Sequence, residues 1–201
     1  MISLSFSALA AILLGYLLGS IPFGLILTKL AGLGDIRQVG SGNIGATNVL
    51  RTGNKKLALA TLLLDGIKGV VAVVLARLWG MENIAPLVGV AAIMGHIFPV
   101  WLRFKGGKGV ATTLAVLLVI SWPVGVVACV VWLGVFLLTK YSSLSSLSAV
   151  TGAGIAAFFL TSTTIFYCVL ALALVVIIRH HQNIKRLLKG QESKSRVKKQ
   201  A

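Results

Sequence analysis

The chain has 201 residues, of which 57% are hydrophobic and only 11% are charged, and its mean hydropathy is +0.97. Soluble domains carry about 25% charged residues, so this composition excludes a soluble globular domain and indicates an integral membrane protein. The net charge of +15 is typical of cytoplasmic loops rich in lysine and arginine. No aromatic residues interleave with the basic runs, which argues against nucleic-acid binding.

Three apolar stretches open the chain: Leu4–Thr28, Leu57–Trp79 and Ile84–Leu102. Each is expected to cross a hydrocarbon core about 30 Å thick. No basic residue precedes the first stretch and Lys29 follows it, which predicts an N-terminus outside the membrane. The connection 29–56 carries five basic residues and is therefore predicted to be cytoplasmic.

The second half of the chain allows two arrangements. Val110–Thr139 is interrupted at Trp122, and Leu147–Ile178 is interrupted by the polar run Thr161–Thr164. Each stretch is either one long tilted or kinked helix, giving five spans, or a hairpin of short helices, giving seven. Polar breaks at mid-membrane are tolerated only when they are buried or line a cavity, so we favour seven. The serine-rich loop Lys140–Ser146 is cytoplasmic in the seven-helix arrangement and outside in the other.

The predicted fold is therefore an all-α integral membrane bundle of seven helices, some of them short, with a cytoplasmic C-terminus. Residues 1–190 are predicted to form one transmembrane domain, and 191–201 a basic, disordered tail. Cys129 and Cys168 lie in apolar runs and are read as buried, unpaired residues. No spacing of cysteine or histidine is typical of a metal site, so no metal or cofactor is predicted.

Glycine-rich or basic polar segments gather on the predicted cytoplasmic face. The first is Gly40–Arg51 (GSGNIGATNVLR) and the second is Phe104–Thr113 (FKGGKGVATT). Glycines expose backbone N–H groups that can hold anions, and Arg51 and Lys108 add cations suited to phosphate. Gly109 after Lys108 departs from the nucleotide P-loop. The other members of this set are Lys140–Ser146 and Arg179–Glu192. Together they predict a site for a phosphate-bearing ligand at the cytoplasmic membrane surface.

Two pairs of residues within the spans have more than one interpretation. Gly15 and Gly19 either admit a neighbouring helix or face lipid. Asp65 and Lys68, three residues apart, share a helix face; we favour a structural ion pair over a role in transport. His96, near the end of the third span, is read as a packed, hydrogen-bonded histidine.

Three segments carry a resemblance to a known family. GSGNIGATNVLRTGN, GHIFPVWLRFKGGKGVAT and RHHQNIKRLLKGQE resemble, in the same order, the signature segments of the bacterial acyl-phosphate:glycerol-3-phosphate acyltransferases (PlsY type). The resemblance implies a seven-helix inner-membrane enzyme with its active site facing the cytoplasm. It implies transfer of a fatty acyl group from acyl phosphate to the sn-1 hydroxyl of glycerol 3-phosphate. The products would be lysophosphatidic acid and phosphate, in the first acylation of bacterial phospholipid synthesis.

The resemblance also implies roles for individual residues. The residues expected to be catalytic are Ser41, Arg51, His180 and Asn183. Those expected to bind substrate are Gly42, Asn43, Asn48, Gly106, Gly107, Lys108 and Ser145. Glu192 is expected to be structural, and either His180 or His181 faces the site. The expected partners are glycerol 3-phosphate, acyl phosphate and membrane lipids, while oligomeric state and acyl-chain preference are left open.

Acyl phosphate is a mixed anhydride with an activated acyl carbon, so the enzyme need only position the hydroxyl and stabilise charge. Asp35, Asp65, Glu82 and Glu192 are the chain's only acids, and no acid follows a histidine at the His-x-x-x-x-Asp spacing of thioester-dependent acyltransferases. A phosphate oxygen of the substrate, or else His180, is expected to take the hydroxyl proton. The alternative function is a small transporter of a phosphorylated anion, favoured by the Asp65–Lys68 pair but not by any clear inverted repeat.

Overall fold

All regular structure in the computed structural model, which describes residues 5–195, is helical. The α-helices are α1 (Phe6–Gly19), α2 (Phe23–Leu30), α3 (Ala46–Val49), α4 (Lys55–Leu78), α5 (Ala85–Ile97), α6 (Val110–Ile120), α7 (Trp122–Thr139), α8 (Ser142–Leu160), α9 (Thr163–Arg179) and α10 (His181–Leu188). Three 3₁₀ turns, Ile36–Gln38, Leu50–Thr52 and Val100–Leu102, lie in the connections.

Five helical segments are long and apolar enough to cross a membrane. They are α1 with α2, α4, α5 with the following 3₁₀ turn, α7 and α8. A sixth candidate joins α9 to α10 across a 61° bend, and α6 is a shorter apolar helix. Exposed leucine, valine and phenylalanine side chains cover the outside of the bundle, as contact with lipid requires. The predicted all-α membrane fold is confirmed, while the number of crossings and the side of each terminus stay predictions.

The chain reverses direction at both breaks in its second half. A Cβ on Gly125 of α7 would lie 2.5 Å from the backbone nitrogen of Leu118 in α6. In one straight helix, two residues seven positions apart would be separated by about 10 Å. The rings of Phe158 in α8 and Phe166 in α9 are 5.6 Å apart. Neither stretch is therefore one continuous helix, and each folds back as a hairpin.

The prediction of a serine-rich loop over Lys140–Ser146 is wrong. The connection is only Lys140 and Tyr141, because α8 begins at Ser142. Serine favours loops since its hydroxyl competes for backbone groups. Here the hydroxyl is used inside the helix: Ser146 Oγ donates to the carbonyl oxygen of Ser142 at 2.7 Å. The serines therefore extend the helix towards the cavity described below.

Small residues let α1 and α5 pack closely. A Cβ on Gly19 would overlap the carbonyl oxygen of Ala92, and one on Gly15 would lie 2.8 Å from Cγ1 of Val88. The pair that the sequence left open therefore faces a helix rather than lipid.

The connection 31–54 is held against the bundle by its own apolar cluster. Ile36, Ile44 and Val49 of this connection are buried with Leu25 of α2 and Ala58 of α4. The first turn of α4 is capped by Asn54, whose Oδ1 accepts from the backbone nitrogen of Leu57 at 3.0 Å, a favoured N-cap contact. The glycine-rich first segment is thus packed against α2 and α4.

Candidate active site

A cavity of about 220 Å³ lies where the first glycine segment, the 106–109 turn, α8, α10 and the C-terminal segment meet. It brings together residues that are far apart in sequence. Of the residues proposed from sequence, Ser41, Asn43, Asn48, Arg51, Lys108, His180, Asn183 and Glu192 line it.

Asn48 holds the first segment in its folded form. The side chain is buried, and its Nδ2 lies 3.0, 2.8 and 2.8 Å from the carbonyl oxygens of Ile36, Val39 and Asn43. Its Oδ1 accepts from the backbone nitrogen of Ser41 at 3.0 Å. Because one amide satisfies groups on both sides of the turn, Asn48 fixes the loop as well as lining the cavity.

Gly40 allows Arg51 to approach this loop. Its φ is +56°, in the left-handed region that glycine tolerates. A Cβ at this position would lie 2.6 Å from Asn48 Oδ1 and 2.7 Å from Arg51 Cδ. The Arg51 guanidinium is therefore packed against bare backbone, and its Nη2 donates to Ser193 Oγ at 2.6 Å.

The glycine turn after α5 is tied to the end of that helix. Gly106 N and Gly107 N donate to the carbonyl oxygens of Ile97 and His96 at 3.1 and 3.0 Å. These two N–H groups are therefore used by the protein, and neither glycine lines the cavity. The two glycines position Lys108, which does line the cavity. The sequence had instead suggested that their backbone N–H groups bind a ligand.

Lys108 begins a chain of polar contacts that ends on α8 and α10. Its Nζ donates to Asn183 Oδ1 at 2.6 Å, and Asn183 Nδ2 donates to Glu192 Oε1 at 2.6 Å. Ser143 Oγ also donates to Glu192 Oε1 at 2.7 Å, and Arg186 Nε donates to Oε2 at 2.6 Å. Glu192 thus ties the C-terminal segment to α8 and α10, and these contacts support the structural role predicted for it.

The protonation of this chain follows from burial and neighbouring charge. Burial lowers the pKa of Lys108 to about 8, and Glu192 opposes that shift. Partial burial raises the pKa of Glu192, but hydrogen bonds from Ser143, Asn183 and Arg186 outweigh it and hold the pKa below its usual value. At neutral pH the chain therefore runs from an ammonium to a carboxylate.

His180, not His181, faces the cavity. His180 is 1% exposed and lines the cavity, whereas His181 lies on the exposed side of α10. His180 Nδ1 is 2.7 Å from the carbonyl oxygen of Val176. A carbonyl oxygen only accepts, so the ring proton sits on Nδ1 and Nε2 is left as an acceptor. The question that the sequence left open is thus answered by burial.

One wall of the cavity is apolar. Leu62 of α4, Val110, Ala111 and Leu114 of α6, and Trp132 of α7 form it. Trp132 Nε1 donates to Ser146 Oγ at 3.3 Å, which fixes the indole at the border between this wall and the polar side. The cavity therefore offers both cationic and amide groups and hydrocarbon surface.

The C-terminal segment 191–195 lies across the cavity, although the sequence predicted a disordered tail from 191. Ser193 and Ser195 line the cavity, and the backbone nitrogen of Ser195 donates to the carbonyl oxygen of Lys140 at 2.9 Å. Residues 196–201 are outside the described part of the chain, and the domain boundary at 190 stays a prediction.

Some proposed residues do not reach the cavity. Gly42, Gly106 and Gly107 are absent from its lining, as is Ser145, which is fully buried and donates to the carbonyl oxygen of Tyr141 at 2.9 Å. The sequence missed Ser142, Ser143 and Ser146, which line the cavity in its place. A helical reading of the serine run would have identified two of them, since residues three or four apart share a face.

Sequence reasoning also did not place Asp65 and His96 in the cavity wall, although both line it. They lie on α4 and α5, and the 106–109 turn folds back onto the end of α5, where Gly107 lies against the His96 ring.

Comparison with known proteins finds relatives that share one family name. The glycerol-3-phosphate acyltransferase family profile matches residues 9–190. A glycerol-3-phosphate acyltransferase of Mesorhizobium japonicum is 52% identical over 191 residues, covering 95% of this chain and 97% of the relative. One of Rhodospirillum rubrum is 54% identical over 197 residues, covering 94% and 91%.

Two solved structures share the fold. The crystal structure of PlsY, an integral membrane glycerol 3-phosphate acyltransferase, in its glycerol 3-phosphate form superposes with a TM-score of 0.88 at 40% identity. The lysophosphatidic acid form of PlsY gives 0.85 at 38%. Each match covers 94% of this chain and 95% of the solved one.

Proposed function

The chain belongs to the glycerol-3-phosphate acyltransferase family, and from this membership we propose that it transfers a fatty acyl group from acyl phosphate to the sn-1 hydroxyl of glycerol 3-phosphate. The products are lysophosphatidic acid and phosphate. The observation that carries the proposal is one cavity lined both by Arg51 and Lys108 and by the apolar side chains Leu62, Leu114 and Trp132. A phosphorylated polyol and an acyl chain need those two surfaces side by side.

The polar side binds phosphate in this proposal. Arg51 presents a planar guanidinium suited to phosphate oxygens, and Lys108 adds a point charge fixed by Asn183. Ser41 and Asn43 lie beside Arg51 in the lining and supply neutral hydrogen bonds. Glycerol 3-phosphate is placed here, with its sn-1 hydroxyl directed towards the apolar wall.

The apolar wall holds the first carbons of the acyl chain. Leu62, Leu114 and Trp132 remove this part of the donor from water, which gives favourable burial of roughly 25 cal/mol per Å². The carbonyl carbon then lies at the border between the two surfaces. This placement brings the acyl group within reach of the acceptor hydroxyl, and proximity of this kind accelerates bimolecular reactions.

The reaction is a substitution at the acyl carbon. The sn-1 oxygen forms the ester bond, the bond from carbon to the bridging phosphate oxygen breaks, and phosphate leaves with that electron pair. Arg51 and Lys108 stabilise the charge that develops on phosphate. The hydroxyl proton passes to a phosphate oxygen of the substrate, so no carboxylate base is needed.

His180 is the alternative acceptor of that proton, since its Nε2 carries a lone pair and the residue lines the cavity. Replacement of His180 by Gln distinguishes the two candidate proton acceptors, the phosphate oxygen and His180. With a phosphate oxygen as base, the variant is slower but keeps the shape of its pH–rate profile. Loss of the acidic limb of that profile would assign the proton to His180 instead.

We place the enzyme in the bacterial inner membrane as a multi-pass protein, with the cavity open to the cytoplasm. The basic connections support this orientation, since lysine and arginine favour the cytoplasmic side. The glycine segment, the 106–109 turn and the C-terminal segment all contribute to the cavity, which supports a common location for them at one face of the membrane.

The direct test uses the purified protein in detergent with acyl phosphate and glycerol 3-phosphate. We expect stoichiometric release of phosphate and lysophosphatidic acid. Release of phosphate without lysophosphatidic acid would show hydrolysis, and absence of both would contradict the proposed reaction. Glycerol in place of glycerol 3-phosphate is the control, and it should be a much poorer acceptor because the polar side then has no phosphate to bind.

A further inference from the structure

Asp65, Lys68 and His96 form a buried polar cluster, of which Asp65 and His96 line the cavity. Their exposed fractions are 2%, 5% and 4%. Lys68 Nζ lies 3.0 Å from Asp65 Oδ1 and 3.0 Å from His96 Nδ1. It also donates at 2.7 Å to the carbonyl oxygen of Ile21, which lies where the chain breaks between α1 and α2.

These contacts fix the protonation of Lys68. Lys68 Nζ lies 3.0 Å from the Asp65 carboxylate and donates to the carbonyl oxygen of Ile21, which is the environment of an ammonium ion. Removing such a charge from water is costly unless it is paired, and the Asp65 carboxylate supplies the pair.

The ammonium in turn fixes the tautomer of His96. An ammonium only donates, so Nδ1 of His96 accepts from Lys68 and the single ring proton lies on Nε2. Within residues 5–195, Nε2 has no hydrogen-bond acceptor and is not closed off inside the protein. His96 lines the cavity, and a Cβ on Gly107 would overlap this same Nε2. The imidazole N–H therefore lies next to the turn that carries Lys108.

His180 has the opposite tautomer in the same cavity. Its Nδ1 donates to a carbonyl oxygen, so its Nε2 accepts, whereas the Nε2 of His96 donates. Only His96 can therefore offer a ring N–H to an anion without first becoming positively charged.

We infer that His96 is a further substrate-binding residue, a neutral imidazole whose Nε2–H donates to a phosphate oxygen beside Lys108, and that Asp65 and Lys68 are positioning residues that hold this tautomer. The inference rests on the proposed function and deepens it. A neutral donor adds a hydrogen bond to phosphate without another charge in a cavity that already contains Arg51 and Lys108.

Two replacements of His96 separate substrate binding from packing. Asn places an oxygen near Nδ1 and keeps the contact to Lys68, but it has no group at the Nε2 position. Gln places an amide nitrogen near Nε2. We expect His96→Asn to fold and to lose about 10- to 100-fold in kcat/KM, as expected for loss of a hydrogen bond to a charged group, and His96→Gln to recover part of that loss. A purely structural His96 gives the reverse order, which would overturn the inference.

The phosphate group could be that of glycerol 3-phosphate or that of acyl phosphate. KM measured for each substrate in the His96→Asn variant distinguishes them, because the substrate whose phosphate is bound shows the larger increase. An increase in neither KM, with kcat unchanged, would contradict the inference.

A spectroscopic test does not depend on turnover. In protein labelled with ¹⁵N-histidine, the His96 resonances are assigned by their loss in His96→Asn. We expect a proton on Nε2 and none on Nδ1 at neutral pH, a change in the Nε2 shift on titration with inorganic phosphate, and loss of the fixed tautomer in Lys68→Met. A proton on Nδ1, or no response to phosphate, would overturn the inference. If both expected signals are present but the wild type makes no lysophosphatidic acid, the proposed function fails and the anion site stands.

Discussion

Arg51 is the one cationic residue of the first glycine segment Gly40–Arg51, and bare backbone at Gly40 lets its side chain lie against the loop. Its only side-chain hydrogen-bond partner among the described residues is the hydroxyl of Ser193. The guanidinium thus keeps most of its five donors for a ligand.

We expect Arg51→Ala to lower kcat/KM for glycerol 3-phosphate by at least about tenfold, the value of one hydrogen bond to a charged group. Arg51→Lys should recover part of this, since it restores charge but not the planar fork. Steady-state kinetics in detergent measure both. Arg37→Ala is the matched control, because Arg37 pairs with Asp35 outside the cavity and its loss should leave the rate unchanged. Wild-type kinetics in Arg51→Ala would refute the phosphate role.

The lowered pKa of Lys108 predicts that kcat/KM depends on pH. Burial lowers its pKa to about 8, so its charge is lost as the pH rises through 8, and kcat/KM for the phosphorylated substrates should fall there. Folding disfavours charged Lys108, because its pKa is lower in the folded protein than in the unfolded chain. This residue therefore lowers the free energy of unfolding most below pH 8, and the effect disappears as the pH approaches 10.5. In Lys108→Arg, which stays charged, the alkaline fall in kcat/KM should be absent. If kcat/KM of that variant still fell above pH 8, the loss of a proton from another group would be responsible for the fall.

At the scale of elements, glycines decide how closely helices pack. Gly19 of α1 meets the backbone of Ala92 in α5, whereas a Cβ on Gly134 of α7 would meet nothing within 4 Å. The two glycines lie in apolar helices of similar composition. Their difference is therefore one of packing and not of local sequence.

We expect Gly19→Ala to lower the thermal unfolding midpoint in detergent, because an inserted methyl group against backbone costs about 1–3 kcal/mol. Gly134→Ala should keep or raise the midpoint, since alanine favours a helix over glycine by about 1 kcal/mol. Equal midpoints for the two variants would show that the α1–α5 contact does not limit stability.

For the whole molecule, the orientation of the Lys140 connection decides between five and seven crossings. Both cysteines can be replaced by alanine, and single cysteines then introduced at the exposed residues Glu82, Lys105 and Lys140. With an impermeant maleimide on sealed vesicles, we expect Lys105→Cys and Lys140→Cys to react from one side and Glu82→Cys from the other. Labelling of positions 140 and 82 from the same side would favour five crossings.

The sequence predicted the membrane class and much of the site, because long apolar runs and glycine-rich turns act locally. The glycines at 40 and 109, with positive φ, are examples. What it could not predict depends on long-range packing. The sequence predicted an Asp65–Lys68 ion pair, which the structure contains, but their third partner, His96, comes from another helix.

Likewise, Ser145 and its neighbours differ only in which face of α8 they occupy. That face is decided by where the helix begins, and a serine run does not show it.

The path of residues 191–195 affects how this protein should be handled in the laboratory. Ser195 is anchored to Lys140, and it lines the cavity together with Ser193. A folded fusion partner or affinity resin joined soon after Ser195 would therefore sit beside the cavity. Preparations tagged at the two ends should be compared before any turnover number is assigned to the enzyme.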